Sequence, residues 1–356
     1  MPEESVSLQA VADHAGVSAM TVSRVLRGSP SVTAATRERV LAAVRAVGYR
    51  PDPHLARMMD LVRGRKNSRV RAVIAVVREC LPKDDLQAPA YQYVAIEDIR
   101  QRADRYGYQI EEFWLGRDGM TPKRLSDILD ARGIEGVIVS PQSSRMLCGQ
   151  LDYSRFAAVT FGYGLKEPSL HRSAGNMTVG IQMATAQLLA RGYRRIGMAV
   201  TQWVDDRSQS TYSGAMLRVQ EGLPKRQRVP MLLFPHNDLS RCAGVFYEWM
   251  RAHQPDALIT FDSHVPGWLK KLGLQIPRDI GLVVHDWHRS MTSFAGIHQR
   301  RDHVAAAAVD LIATQLTQHE RGVPEVPRQI MIPAQWIEGP SIRPAPSESH
   351  AGPAHR

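Results

Sequence analysis

The stretch AVADHAGVSAMTVSRVLRG, residues 10–28, decides how the chain is read. Leu8, Val11, Ala12 and Ala15 recur at i, i+3, i+4 and i+7, which makes one apolar helical face. Gly16 tolerates the positive φ that ends such a helix. Ser18 then offers a hydroxyl to cap a second helix running through Leu26. On that helix Val22, Val25 and Leu26 turn inward. Ala19, Met20, Ser23, Arg24 and Arg27 fall at i, i+1, i+4, i+5 and i+8 on the other side. Two short helices, a tight turn and an arginine-bearing face predict a helix-turn-helix. The competing reading is a plain three-helix bundle, whose solvated face usually carries Glu/Lys pairs instead of hydroxyls and arginines.

Working outward, Thr33 can cap a third helix with the stripe Val40, Leu41, Val44 and Val47, ended by Gly48, Pro51 and Pro53. The chemistry of the outward face fits nucleic acid. Arginine pairs with guanine or phosphate, and Met20 and Ala19 can pack on a thymine methyl. Ser18, Thr21, Thr33 and Thr36 stand near helix N-termini, where hydroxyls and amides suit phosphate oxygens. Charge agrees: residues 1–71 carry twelve Lys+Arg against six Asp+Glu, more than half of the net +10. A basic head on a near-neutral body fits a polyanion partner.

From about residue 72 the pattern becomes strand–helix alternation. RAVIAVV, QIEEFW, GVIVS, AAVTF, IGMAV, MLLF, ALIT and IGLVV read as strands, with helical stretches at 94–106, 180–191, 241–253 and 303–319. Apolar strands separated by amphipathic helices predict parallel sheets covered on both faces. Cys80, Cys148 and Cys242 show no metal-ligand spacing and fit a reducing cytoplasm. No secretory signal and no membrane-spanning run is visible, so no membrane partner is expected. Neither a metal nor a cofactor is expected. The Pro/Ser/His-rich residues 341–356 read as a disordered tail.

The run VSLQAVADHAGVSAMTVSRVLRGSPSVTAATRERVLAAVRAVGYRPDP resembles the head of the lactose-repressor family of bacterial transcriptional regulators. The resemblance implies an all-α helix-turn-helix head plus an α/β, periplasmic-binding-protein-like core of two doubly wound lobes. It implies Ala19, Met20 and Arg24 as base readers, and Ser7, Ser18, Thr21, Ser23, Thr33, Thr36 and Tyr49 as phosphate contacts; Arg27 joins them on the outward face. It also implies a hinge helix, here PDPHLARMMDLV, that wedges an apolar side chain into the minor groove. Met59 matches that wedge, with Leu55 and Met58 close competitors. The hinge departs from the family by one inserted residue near His54 and by Asp52 where Asn is usual.

The body resembles the family less tightly, through GYQI at 107–110, GVIVS at 136–140, RGYRRIG at 191–197, QPDALIT at 254–260 and LGLQIPRDIGLVVHD at 272–286. The implied organisation is a head at 1–50, a hinge and linker at 51–70, and a core at 71–340. One lobe would comprise 71–164 and 296–322, the other 165–293 and 326–340. Three crossovers are expected near 162–166, 293–296 and 322–326. A small-molecule effector, a carbohydrate by resemblance, would bind between the lobes at Arg78, Tyr91, Asn176, Arg207, Asp262 and Asp286. Thr211 stands where the family places an effector-binding Arg, and Arg207 lies one helical turn earlier. Trp203 and Trp287 flank these loops. The expected function is regulation, with repression as the default, of a double-stranded operator by a cytoplasmic homodimer. A regulator that has lost small-molecule sensing stays open. An enzyme with a DNA-binding head is disfavoured, since Ser140 lacks a G-x-S-x-G elbow and His285 and Asp286 are adjacent. An exported sugar-binding protein is disfavoured by the helix-turn-helix.

Overall fold

The computed structural model describes residues 8–26, 32–47, 72–79, 94–140, 146–235, 241–261 and 263–345. The chain separates into two units, Met1–Val70 and Arg71–Arg356.

In the first unit, α1 spans Leu8–Ala15, α2 Ala19–Leu26 and α3 Ala34–Val47. Gly16 sits at φ +61° and ends α1. The Thr21 amide donates to Ser18 Oγ (3.2 Å) and the Thr36 amide to Thr33 Oγ1 (3.4 Å), so both expected caps are present. Val11, Ala12, Ala15, Val22, Val25, Val40 and Ala43 make the core. Leu41 is exposed, contrary to the expected stripe, and Ala43 takes its place. At about 100° per residue, Ala43, Val44 and Val47 lie within about 60° of Val40, whereas Leu41 is about 100° away.

Among the described residues of this unit none larger than valine is fully buried, which marks its stability as marginal. A fold of some fifty residues holds about 3–7 kcal/mol. Val40→Ala, which removes fully buried methyl groups, is expected to cost about 2 kcal/mol of it. Far-UV circular dichroism of the full chain should show the head melting earlier while the body transition stays in place. A head transition that does not move would refute this account of its core.

In the second unit, β1 (Val73–Glu79), β2 (Gln109–Leu115), β3 (Gly136–Ser140), β4 (Ala157–Phe161), β5 (His171–Gly175) and β11 (Gln329–Ile332) form one sheet. Its order is β11-β5-β4-β3-β1-β2, parallel throughout. A second sheet takes β6 (Ile196–Thr201), β7 (Leu232–Phe234), β8 (Ala257–Thr260), β9 (Gly281–Val284), β10 (Ala295–His298) and β12 (Gln335–Ile337). Its order is β12-β10-β9-β8-β6-β7, with β12 antiparallel at the edge. The helices are α4 (Ile96–Asp104), α5 (Pro122–Ala131), α6 (Met177–Ala190), α7 (Gln202–Arg207), α8 (Thr211–Glu221), α9 (Ala243–His253), α10 (Val265–Lys271) and α11 (Arg301–Gln318). Helices α4 and α11 pack on the first sheet, and α6, α8 and α9 on the second. None of the described helices is long and apolar enough to cross a membrane.

The chain passes between the sheets at 176, at 299–300 and at 333–334, not near 162–166, 293–296 and 322–326. Residues 171–175 and 329–332 therefore belong with the first lobe, and 295–298 with the second. The expected boundaries fail because these strands are short and polar. HRSAG is wholly buried although three of its five side chains are polar. The Arg172 guanidinium donates to the carbonyls of Gly162 (3.0 Å) and Leu165 (2.9 Å), and His171 Nδ1 accepts from the Arg328 amide (2.8 Å). Local partners permit that burial.

The expected tail also begins too early. Ser341 and Ile342 are buried. Ser341 Oγ accepts from the Ala295 amide (2.8 Å) and donates to the Leu282 carbonyl, stitching the segment across β9 and β10. Residues 346–356 lie outside the described residues.

Candidate nucleic-acid interface and ligand cleft

The outward face of α2 presents Met20, 58% exposed, and the exposed Arg24. Thr21 and Ser23 are half-buried beside them. Ala19 is half-buried and packs on the head core, so it borders the outward face instead of occupying it. It stands only about 60° from Val22 around the helix. The Ser18 and Thr21 hydroxyls are 3.0 Å apart, and those of Thr33 and Thr36 are 2.9 Å apart. Each pair lies at a helix N-terminus, where amides and dipole favour an anion. Ser7, Arg27, Tyr49 and the wedge candidate Met59, with Leu55 and Met58, lie outside the described residues.

In the body, Asp286 follows β9 and pairs with Arg301, the first residue of α11. The preceding His285 is fully buried. Its ring meets Phe261 (4.7 Å) and Tyr212 (5.3 Å), and Gln299 Nε2 lies 3.2 Å from its Nδ1 and donates to its carbonyl (2.8 Å). Burial pushes the imidazole pKa down to about 4, against the opposing pull of Asp286. His285 and Asp286 thus have separate partners, as expected for neighbours on a strand end.

Arg207 closes α7 with its guanidinium 4.3 Å from the Trp203 ring centre, a cation–π stack. The Trp287 indole donates to the carbonyls of Met291 (3.0 Å) and Phe294 (3.1 Å), so its edge is spent on its own loop. Asn176 caps α6 through the Val179 amide (3.2 Å) at the first crossover. Arg78 is buried in β1, with Nε donating to Glu112 (2.6 Å) and a terminal nitrogen to the Val94 carbonyl (3.2 Å). Tyr91 and Asp262 lie outside the described residues. Of the six expected cleft residues, Arg207 and Asp286 share the C-terminal edge of the second sheet, after β6 and β9. Asn176 stands at a crossover, and Arg78 is committed inside the first sheet. A separate hollow of about 380 Å³ on α5, lined by Thr121, Lys123, Arg124, Asp127, Ile128 and Ala131, shares no residue with this set.

Residues 7–52 match the family described as bacterial regulatory proteins, lacI family, and residues 185–342 match a periplasmic binding protein-like domain. The head matches the lacI family, and the body a periplasmic binding protein-like domain. The lacI-family head model thus covers α1 to α3, and the core match runs from α6 to the strap at Ser341. Among relatives, the chain is 27% identical over 290 residues to the transcriptional regulator reg1 of Streptomyces lividans, covering 78% of this chain and 79% of that protein. It is 28% identical over 301 residues to the regulator GntR of Escherichia coli K12, covering 81% and 84%. Two solved structures share the fold over most of the chain. A lac repressor dimer bound to operator and the anti-inducer ONPF superposes with TM-score 0.57 at 18% identity, covering 95% of this chain and 99% of that one. A complex of the regulator CelR with cellobiose superposes with TM-score 0.57 at 22% identity, covering 94% and 99%. Within the lacI family the helix-turn-helix binds DNA and regulates transcription. Sequence reasoning missed Arg301, Gln299 and the Tyr212–Phe261–His285 cluster.

Proposed function

We propose that this protein is an operator-binding transcriptional regulator, working as a cytoplasmic homodimer and repressing by default, whose DNA affinity responds to a small ligand held between the lobes. The observation that carries the DNA half is the face of α2, where a capped helix leaves Met20 and Arg24 in solvent while Val22 and Val25 hold it to the core. Met20 would pack on a thymine methyl, and Arg24 would reach guanine. Ser18, Thr21, Thr33 and Thr36 would position phosphates, with Ser7, Ser23, Arg27 and Tyr49 completing the contacts. Met59 would enter the minor groove from the hinge. A carbohydrate is the ligand class the reading favours, because one neighbour in fold is described with cellobiose and Asp286 offers a carboxylate for hydroxyls. Arg207, Asp262, Asn176, Tyr91 and Arg78 would complete the ligand shell.

A second reading, a regulator without small-molecule sensing, is favoured by one observation: Asp286 is already engaged by Arg301. A thermal-shift screen against a carbohydrate panel separates the two, since stabilisation by any sugar supports sensing.

The DNA half is tested by Arg24→Ala. The substitution should cost about 1–3 kcal/mol, roughly 5- to 150-fold in affinity, at the preferred operator in a footprint titration. Equal loss on random DNA would reduce Arg24 to a phosphate contact.

A further inference from the structure

We propose that Arg301 is a built-in competitor for Asp286, so that a ligand group can take the carboxylate only by displacing the guanidinium, and α11 carries that displacement into the first lobe. The inference rests on reading the body as a two-lobed sensor. The ion pair joins elements of different lobes: Asp286 follows β9 of the second sheet, while α11 packs on β4 and β5 of the first. Both side chains are only partly shielded, 16% and 25% exposed, so an entering group can reach them.

Asp286 offsets an unfavourable placement of Arg301. That arginine opens an 18-residue helix, where the macrodipole disfavours a cation, and the residue before it, Arg300, is a second cation in a left-handed turn (φ +48°). Asp286 therefore removes part of the electrostatic cost of two adjacent cations at the start of α11. Asp302 is held by His303, itself contacted by Arg300 (2.7 Å). The neighbouring contact is built to stay fixed. Gln299 donates into the buried His285 carbonyl, and its Oε1 fills the space a side chain on Gly175 would need (2.8 Å). His285 Nε2 lies 3.2 Å from where a Cβ on Gly180 would sit. One bond at this joint is buried and packed, and the next, Asp286–Arg301, is open to exchange. A ligand that binds only when the pair opens acts through differential affinity for two states.

The test uses the full chain without DNA or ligand, so its failure is separate from failure of the sensor reading. Spin labels are placed by Lys123→Cys on α5 of the first lobe and Leu217→Cys on α8 of the second, with Cys80→Ser; Cys148 and Cys242 are buried. Labelled chain is diluted into unlabelled chain, and pulsed dipolar spectroscopy reads the interlobe distance. Arg301→Gln should shift the distribution by at least about 2 Å. Asp286→Asn should produce the same shift and serves if the first variant does not fold. The charge-swapped double variant Asp286→Arg/Arg301→Asp should restore the original distribution. Unchanged distances in the single variants, or a double variant that resembles Arg301→Gln, would overturn the proposal.

Discussion

Acidification from pH 7 to pH 4 is expected to take about 3 kcal/mol from the larger unit through His285 alone. The unfolded imidazole titrates near 6.5, and burial in the Tyr212–Phe261 cluster lowers the folded value to about 4. A depressed histidine pKa means that the unfolded chain takes up a proton which the folded chain refuses. Stability is therefore complete above the unfolded value and declines as pH falls from 6.5 towards 4, at about 1.4 kcal/mol per unit. Below about 4 both states are protonated and the loss stops growing. His285→Phe keeps a flat ring against Tyr212 and Phe261 and removes the titration. Urea unfolding of both proteins at pH 7 and pH 4 should show the variant's pH-dependent loss smaller by about 3 kcal/mol. An identical loss in both would refute the assignment.

Trp249→Ala should be costlier, at about 3–5 kcal/mol. The ring is 8% exposed, its indole donates to the Pro230 carbonyl (2.9 Å), and it lies between Phe246 and β6. It covers Gly197 so closely that a Cβ there would sit 2.4 Å from a ring carbon. Gly197→Ala is therefore expected to cost about 1–3 kcal/mol by overpacking while Trp249 is present. With Trp249 already truncated, the same methyl should cost little, because it enters the space the ring has vacated. A double-mutant cycle by chemical denaturation should thus give a coupling of about 1–3 kcal/mol between the two positions. Strict additivity would show that the contact is not the cause.

The helix-turn-helix was legible because period, cap and stop coincide within twenty residues: Ala15, Gly16 and Ser18 each do one local job. The error there, Leu41, is a small angular misplacement on a helix correctly found. In the body, strands with continuous apolar runs such as GVIVS and ALIT were found. HRSAG, AGIH, QIMI and QWI were not. They are three to five residues long, and their right to be buried comes from partners elsewhere, such as the carbonyls that receive Arg172. Missing those strands moved all three crossovers. It also hid the partner of Asp286, because Arg301 meets that carboxylate only once β10 is placed in the second sheet.

The triple passage of the chain between sheets sets how this protein can be recombined. The head can be exchanged with a relative's by one splice near residue 70, since the chain divides into units there. Neither lobe is a cassette in that sense. Moving one requires junctions at 176, at 299–300 and at 333–334 together, and a single crossover at 176 or at 299–300 would pair β5 with a β11 from the other parent. New operator specificities are thus within reach of one recombination event. A new sensor must be inherited whole or altered residue by residue in place.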